Sequence, residues 1–217
     1  MWSTPSVVHP AHPPQGYGEP VAEKFEDEAF TGEDWYGEEM ADRSYTRCTF
    51  TDVDLTESST RGTVFEECTF SNVRFNASRH SDSAFLRCTF ARSNLFETEF
   101  TGCKLTGSTF THCDLRPLTV EGGDWSFVGL AEADLRGTVF RRTRMREVDL
   151  TKAKLEKATL TDVDLSAAHL IGADLTGCDL RGSDLTALNP NEVRLAGAII
   201  HADQAVVIAQ ALGFEVR

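Results

Sequence analysis

Six cysteines carry the most distinctive chemistry of this chain, because thiols form disulfides, bind metals and act as nucleophiles. They are Cys48, Cys68, Cys88, Cys103, Cys113 and Cys178. Each lies two residues before a large apolar residue, at a place that alanine, serine or valine fills elsewhere in the chain. A free cysteine packs as a small hydrophobic residue. The spacing therefore predicts buried structural thiols rather than a metal or disulfide site.

No other group of residues has the pattern of a catalytic site. The sequence contains no nucleophile motif, no phosphate-binding glycine loop and no metal-ligand spacing. His112 and His169 stand at outward positions with no cysteine or histidine cluster beside them. We therefore predict a protein that is not an enzyme and that uses neither a cofactor nor a metal.

A period of five residues accounts for the positions of the cysteines. From Tyr45 to Leu195, nearly every residue whose number divides by five is large and apolar; Thr60, His80 and Pro190 interrupt the series. This period fits neither an α-helix nor a flat strand, but it fits a chain that turns a corner every five residues. Four sides make a coil of twenty residues, and the tripeptide Cys-Thr-Phe recurs at the same interval. The sequence predicts an all-β fold, a quadrilateral parallel β-helix.

Two further features bear on the geometry of the coil. Thr60 and His80 fall on the same wall of consecutive coils, which favours a locally wet or bulged wall over a polar pair that serves a partner. Glycines recur two residues after the large apolar positions, as expected for a corner with positive φ. These are Gly62, Gly102, Gly107, Gly122, Gly137, Gly172, Gly177 and Gly182.

The five-residue period does not extend to the two ends of the chain. Residues 1–20 are rich in proline and predict a flexible extension, and 21–200 form the predicted β-helix. Residues 201–217 predict a short C-terminal α-helix, with Asp203 as its N-cap and Gly213 as its stop. We expect the apolar residues of this helix to cover the end of the rod, to form a two-fold dimer contact, or to do both. They are Ala205, Val206, Ile208, Ala209, Leu212 and Phe214.

Negative charge is concentrated near the start of the chain. The sequence has 34 acidic and 21 basic residues, a net charge of −13. From Glu19 to Asp42 there are ten acidic residues against Lys24 alone, a net of −9 that leaves −4 for the rest. We expect no direct binding of nucleic acid, which requires lysine and arginine, but rather a basic protein surface as partner. Four glutamates occupy inward positions, two residues before a large apolar residue, that small side chains fill elsewhere in the chain. We expect them either to protect the end of the rod or to bind a partner. They are Glu23, Glu28, Glu33 and Glu38.

Membrane insertion and secretion are not expected from the sequence. No apolar run approaches the roughly 20 residues that span a bilayer. The first residues lack the basic region and apolar core of a signal peptide. We therefore expect a cytoplasmic protein.

The repeat consensus, seen at 173–177 as Ala-Asp-Leu-Thr-Gly, resembles that of the pentapeptide-repeat family. The resemblance implies a right-handed quadrilateral β-helix. Segments 41–62, 115–137 and 196–214 further resemble the MfpA/Qnr-like gyrase-interacting subfamily. That resemblance implies a DNA-mimicking homodimer, joined near its C-termini, that binds DNA gyrase and modulates its inhibition by fluoroquinolones. Residues 1–20 depart from the family pattern, and no long loop interrupts the period.

An acidic rod can occupy a basic groove that normally holds DNA. Aspartates directly before large apolar positions form two outer columns, which we predict to be the DNA-like surface. The alternative is that aspartate at this place simply belongs to the repeat consensus. The first column contains Asp114, Asp134 and Asp174, and the second contains Asp124, Asp164 and Asp184. The competing interpretation of the whole chain is a non-catalytic structural or scaffolding repeat protein with a different protein partner.

Overall fold

The structure, a computed structural model, describes residues 23–217, so the predicted extension at 1–20 lies outside the described residues. The chain winds as a right-handed quadrilateral parallel β-helix that ends in one short α-helix, which confirms the predicted fold. The strands and the helix are β1 (Lys24–Glu26), β2 (Ala29–Thr31), β3 (Glu39–Ala41), β4 (Ser44–Thr46), β5 (Thr49–Thr51), β6 (Ser59–Arg61), β7 (Val64–Glu66), β8 (Thr69–Ser71), β9 (Arg79–Ser81), β10 (Ala84–Leu86), β11 (Thr89–Ala91), β12 (Thr98–Thr101), β13 (Thr109–Thr111), β14 (Leu118–Glu121), β15 (Val139–Arg141), β16 (Thr159–Thr161) and α1 (Ala202–Ala211).

The four walls of the coil are held by parallel backbone pairing between successive turns. Three walls contain sheets, with the orders β1-β4-β7-β10, β13-β11-β8-β5-β2 and β16-β15-β14-β12-β9-β6-β3. Partners are twenty residues apart, as in the pairing of Phe50 with Phe70. On the remaining wall, isolated bridges join residues at the same interval from Asp34 to Asp114 and from Asp134 to Arg194. Each outer side chain therefore stands in a column with its equivalents on the neighbouring coils.

The large apolar residues stack inside the rod. The ring centroids of Phe50 and Phe70 are 4.8 Å apart, as are those of Phe70 and Phe90, and the rings are nearly parallel. On a second wall, Tyr45 and Phe65 stack at 4.9 Å. Offset stacking of this kind adds to the burial of apolar area. Farther along the rod, buried leucines continue the Phe50 wall: Leu130, Leu150 and Leu170.

The cysteines fill the small inward slots. All six are free; Cys113 is partly buried and the other five are buried. The Sγ atom of Cys88 donates a hydrogen bond to the carbonyl oxygen of Phe65 at 3.4 Å. Burial raises the pKa of Cys103 to about 11 and that of Cys178 to about 12, so the thiolate is disfavoured. These observations confirm the interpretation of the thiols as packing residues.

Most of the corner residues, two places after the large apolar positions, adopt the left-handed backbone conformation. Gly62 and Gly102 both have a φ of 64°, as the glycine pattern predicted. Many corners nevertheless lack glycine: Glu147 has a φ of 52° and Phe127 one of 60°. A left-handed conformation costs an ordinary residue about 1–2 kcal/mol. The coil therefore imposes positive φ through its geometry, and glycine only reduces the cost at some corners.

The interruption at Thr60 and His80 does not distort the wall, so the predicted bulge is wrong. Thr60 pairs in register with His80, and His80 with Phe100, and the side chains of Thr60 and His80 are buried. The Nδ1 atom of His80 lies 2.9 Å from Thr60 Oγ1, and its Nε2 atom lies 3.0 Å from Ser78 Oγ. The imidazole also stacks on Phe100, with centroids 4.9 Å apart. The polar side chains satisfy one another inside the rod.

We expect His80 to make the protein less stable in mild acid. Burial lowers the pKa of His80 from 6.5 to about 3, so between these values only the unfolded chain binds the proton. The free energy of unfolding is therefore unaffected by His80 above about pH 6.5. It should fall by about 2 kcal/mol between pH 7 and pH 5. Urea denaturation at the two pH values measures this loss.

Two variants separate His80 from other sources of pH dependence. His80→Gln should remove most of the loss between pH 7 and pH 5, because glutamine does not titrate. His169→Gln, at an exposed position on the outer surface, should leave the loss unchanged. A loss in His80→Gln equal to that of the unsubstituted protein would contradict the assignment.

Candidate partner-binding surfaces

The six predicted aspartates stand on two outer columns, and each also has a role in the local turn. The Oδ1 atom of Asp124 accepts a hydrogen bond from the backbone N–H of Ser126 at 3.0 Å, and Asp174 does the same with Thr176 at 3.0 Å. This is the local turn that aspartate and asparagine favour. The same contact measures 2.9 to 3.4 Å at Asp114, Asp134, Asp164 and Asp184. Turn formation thus explains why aspartate recurs at this position. It is consistent with the alternative interpretation, in which aspartate here belongs to the repeat consensus.

Arginines neutralise much of the first column. The Oδ2 atom of Asp134 lies 2.7 Å from Arg136 Nη2 and 3.2 Å from Arg116 Nη1. The hydrogen bond from Arg136 lowers the pKa of Asp134. Asp174 lies 3.2 Å from Arg194 Nη1. The predicted DNA-like surface therefore has less free charge at these aspartates than the sequence suggests.

The second column is less neutralised than the first. Arg144 stands between Asp124 and Asp164 in the column, and its Nη1 atom lies 3.2 Å from Asp124 Oδ2. Among the residues that the structure describes, Asp164 and Asp184 form no ion pair, and neither does Asp114 in the first column. These three carboxylates are the members of the predicted surface whose charge is available to a partner.

The first described coil presents another acidic surface, at one end of the rod. Its four glutamates at inward positions, Glu23, Glu28, Glu33 and Glu38, are exposed. Arg43 pairs with Glu23 at 2.9 Å and approaches Glu38 at 4.0 Å. Glu28 and Glu33 make no ion pair within the described chain. Charge at an open sheet edge disfavours stacking between rods, so edge protection and partner binding both remain consistent with this surface.

Helix α1 begins at a different cap from the predicted one. Asp203 lies in the first turn, and the N-cap is His201, whose backbone N–H donates to Gln204 Oε1 at 2.7 Å. The prediction of Asp203 as N-cap is wrong: the helix begins directly after His201, and the bond from His201 to Gln204, three residues after the cap, is that of a capping box. The predicted stop is confirmed: α1 ends at Ala211, and Gly213 follows with a φ of 90°.

The apolar residues of the C-terminal region fall into two groups. Ile208 and Ala209 are half-buried, and Ile208 packs against the core of the rod. The remaining residues of the predicted contact are exposed: Ala205, Val206, Leu212 and Phe214. Among the large apolar side chains here, Phe214 has the largest exposed fraction, 66%. Part of the predicted contact therefore docks α1 on the rod, and the other part is exposed.

Residues 23–217 contain neither a metal-binding cluster nor a helix that could span a membrane. No three histidine, cysteine, aspartate or glutamate side chains in this part of the chain are grouped so that they could hold a metal ion. None of its helices has the length and apolar character needed to cross a bilayer.

The geometry defines a class of protein: a right-handed β-helix of five-residue units, with turn-forming aspartates outside and a helix at one end. Residues 93–170 match the family described as "Pentapeptide repeat region". Residues 48–79 and 160–200 match "Pentapeptide repeats (8 copies)". The chain belongs to the pentapeptide-repeat family.

A known protein that is similar to this chain is also named as a pentapeptide-repeat protein. The chain is 39% identical over 113 residues to the pentapeptide repeat protein MfpA of Mycobacterium tuberculosis (strain ATCC 25618 / H37Rv). This alignment covers 50% of the chain and 51% of MfpA, so the match spans about half the length of that relative.

Solved structures of QnrB1, described as a plasmid-mediated fluoroquinolone resistance protein, share the fold. A trypsin-treated variant matches with a TM-score of 0.82 at 20% identity, over 91% of this chain and 100% of that chain. Full-length QnrB1 matches with a TM-score of 0.59 at 21% identity, over 88% and 100% of the two chains.

Proposed function

We propose that this protein is a DNA mimic that binds DNA gyrase, inhibits it and modulates its sensitivity to fluoroquinolone-type inhibitors. The observation that carries the proposal is a β-helical rod whose outer carboxylates recur in columns at a fixed interval, in a chain with a net charge of −13. The likeness to MfpA and the fold of QnrB1 direct the proposal to gyrase. The protein would act by binding, without catalysis, in the cytoplasm.

Charge on the rod supports binding to a basic groove. Successive coils lie about 4.8 Å apart, so a column offers one side chain per coil. Duplex DNA carries one charge per about 1.7 Å of its axis. The rod is less densely charged than DNA, and its charge would act mainly by steering association and by matching a positive surface.

A homodimer joined at the C-terminal ends completes the proposal. The exposed side chains of Val206, Leu212 and Phe214 lie at one end of the rod. A two-fold axis there would bring the same apolar patch of both chains together, so that each covers the other. The dimer would present two rods, each with its own acidic columns.

Supercoiling by purified gyrase, titrated with this protein in the presence and absence of a fluoroquinolone, tests the proposal. We expect supercoiling to fall as the protein concentration rises and drug-stabilised DNA cleavage to decrease. Both effects should weaken as the salt concentration increases, because electrostatic association is screened. Absence of inhibition, of protection and of measurable gyrase binding would refute the proposal.

A charge variant locates the surface. Changing Asp114→Asn, Asp164→Asn and Asp184→Asn together removes three charges. Asparagine should keep the turn, since Asn94 accepts the same hydrogen bond from the N–H of Phe96 at 2.9 Å. We expect inhibition to weaken by about tenfold if each charge contributes a fraction of a kcal/mol.

The matched control changes the same number of charges at the rod end. It combines Glu28→Gln, Glu33→Gln and Glu39→Gln, all at exposed positions of the first described coil. Unchanged inhibition in this control would assign the effect to the columns rather than to net charge. If both variants inhibited gyrase equally weakly, the columns would not be the specific binding surface. Salt-insensitive binding to a protein other than a topoisomerase would favour the scaffolding alternative.

A further inference from the structure

Gln204 is the buried residue of α1, and its amide makes four hydrogen bonds. The Nε2 atom donates to the carbonyl oxygens of Leu180 at 2.8 Å and Ser183 at 2.7 Å. The Oε1 atom accepts from the backbone N–H groups of His201 at 2.7 Å and Gly182 at 3.3 Å. A glutamine amide has two N–H groups and an oxygen with two lone pairs, so all its bonding capacity is used.

Two of these bonds reproduce the pairing between coils. On an earlier coil, the carbonyl oxygen of Val163 accepts from the N–H of Asp184, twenty-one residues later, at 2.9 Å. Ser183 is one coil after Val163, and its carbonyl accepts instead from the side chain of Gln204, which is again twenty-one residues later. The amide therefore stands where a backbone N–H of a further coil would lie.

The oxygen of the same amide takes the place of a backbone carbonyl. The N–H of Asp162 donates to the carbonyl oxygen of Arg181 on the next coil at 3.0 Å. Gly182, one coil after Asp162, donates instead to Gln204 Oε1. One side-chain amide thus substitutes for one N–H and one C=O of a further coil. If these buried backbone groups were left without hydrogen-bond partners, the folded protein would be less stable.

We propose that Gln204 ends the β-helix as a surrogate peptide group, and that this docking positions the exposed apolar residues of α1 for dimerisation. Helix α1 has no other buried residue, so Gln204 is its main polar attachment to the rod. An undocked helix would have to be ordered on association, which weakens binding. The second half of the proposal rests on the homodimer proposed above. Gln204 is a positioning residue here, and the contact itself belongs to Val206, Leu212 and Phe214.

Gln204→Ala tests both halves in the full-length chain, with Gln210→Ala, an exposed glutamine of the same helix, as the matched control. Amide hydrogen exchange in residues 202–211 reports docking, and sedimentation velocity reports the dimer dissociation constant. We expect Gln204→Ala to speed exchange in α1 by about tenfold or more and to weaken dimerisation by about tenfold. Gln210→Ala should change neither quantity by more than about twofold.

The outcomes distinguish this inference from the proposed dimer. Unchanged exchange in Gln204→Ala would overturn the surrogate role, and faster exchange with unchanged dimerisation would overturn the positioning role. If the unsubstituted protein stays monomeric at every concentration while Gln204→Ala exchanges faster, the dimer fails and the terminating role stands. Should Gln204→Ala not fold, Gln204→Asn provides the same comparison, because its shorter side chain cannot reach both carbonyls.

Discussion

Replacing Phe70 by alanine is expected to lower the free energy of unfolding by about 3–5 kcal/mol. The ring is fully buried and stacks at 4.8 Å on both Phe50 and Phe90. It also meets Phe65 edge-on at 5.5 Å. Removing it opens a cavity in the middle of the stack, where regular backbone pairing prevents the coils from closing the gap. Denaturation in guanidinium, followed by circular dichroism, measures the loss.

Phe96→Ala is the control for this prediction. Phe96 lies on the outer surface with 39% of its area exposed, so its removal should cost less than about 1 kcal/mol. A loss below about 1 kcal/mol for Phe70→Ala as well would mean that the stack relaxes around the missing ring. In that case the regular spacing of the coils would not be what holds the core rigid.

Gly123→Ala is expected to have the second largest effect, a loss of about 2–5 kcal/mol in the free energy of unfolding. A β-carbon on Gly123 would collide with the carbonyl oxygen of Cys103 and lie 2.8 Å from its backbone nitrogen. The backbone of Gly123 also has a φ of 85°, which strains any other residue. The expected loss adds about 1–2 kcal/mol for the left-handed conformation to about 1–3 kcal/mol for overpacking.

The adjacent Gly122 supplies the control. Its φ is 68°, but a β-carbon there would meet no atom within 4 Å. Gly122→Ala should therefore cost only the conformational part, about 1–2 kcal/mol. Comparison of the two denaturation midpoints isolates the close approach of the coils at Gly123. Equal losses in the two variants would contradict the steric argument.

The candidate surface was only partly predictable. The positions of Asp114 and Asp164 on outer columns follow from the twenty-residue interval alone. The neighbours of each aspartate in its column follow from the same interval when the sequence is written in rows of twenty residues. Arg144 and Arg194 then fall in the same columns as the aspartates with which they pair. Whether such a pair forms depends on side-chain rotamers, and these are set by contacts on the assembled surface.

The errors in the sequence-based predictions share one cause. The N-cap was assigned to Asp203 because local capping rules consider only neighbouring residues. The helix begins after His201 instead, because Gln204 accepts from the backbone N–H of His201 and also bonds to Leu180 and Ser183 on the previous coil. Likewise, the wall at Thr60 was expected to be locally wet or bulged, because the local pattern does not show bonding partners on the next coil. His80 and Ser83 supply them from the next coil, at 2.9 Å each.

The sequence by itself determined the coil, its walls, the inward cysteines and the left-handed glycine corners. It could do so because each five-residue unit encodes its own geometry, and because parallel pairing at one interval repeats that geometry along the rod. Tertiary structure alone decided how polar groups are satisfied. It paired His80 inside the rod, left Asp164 and Asp184 without arginine partners, and placed the amide of Gln204 where the rod ends. Those outcomes depend on distances between different coils, which a five-residue period does not specify.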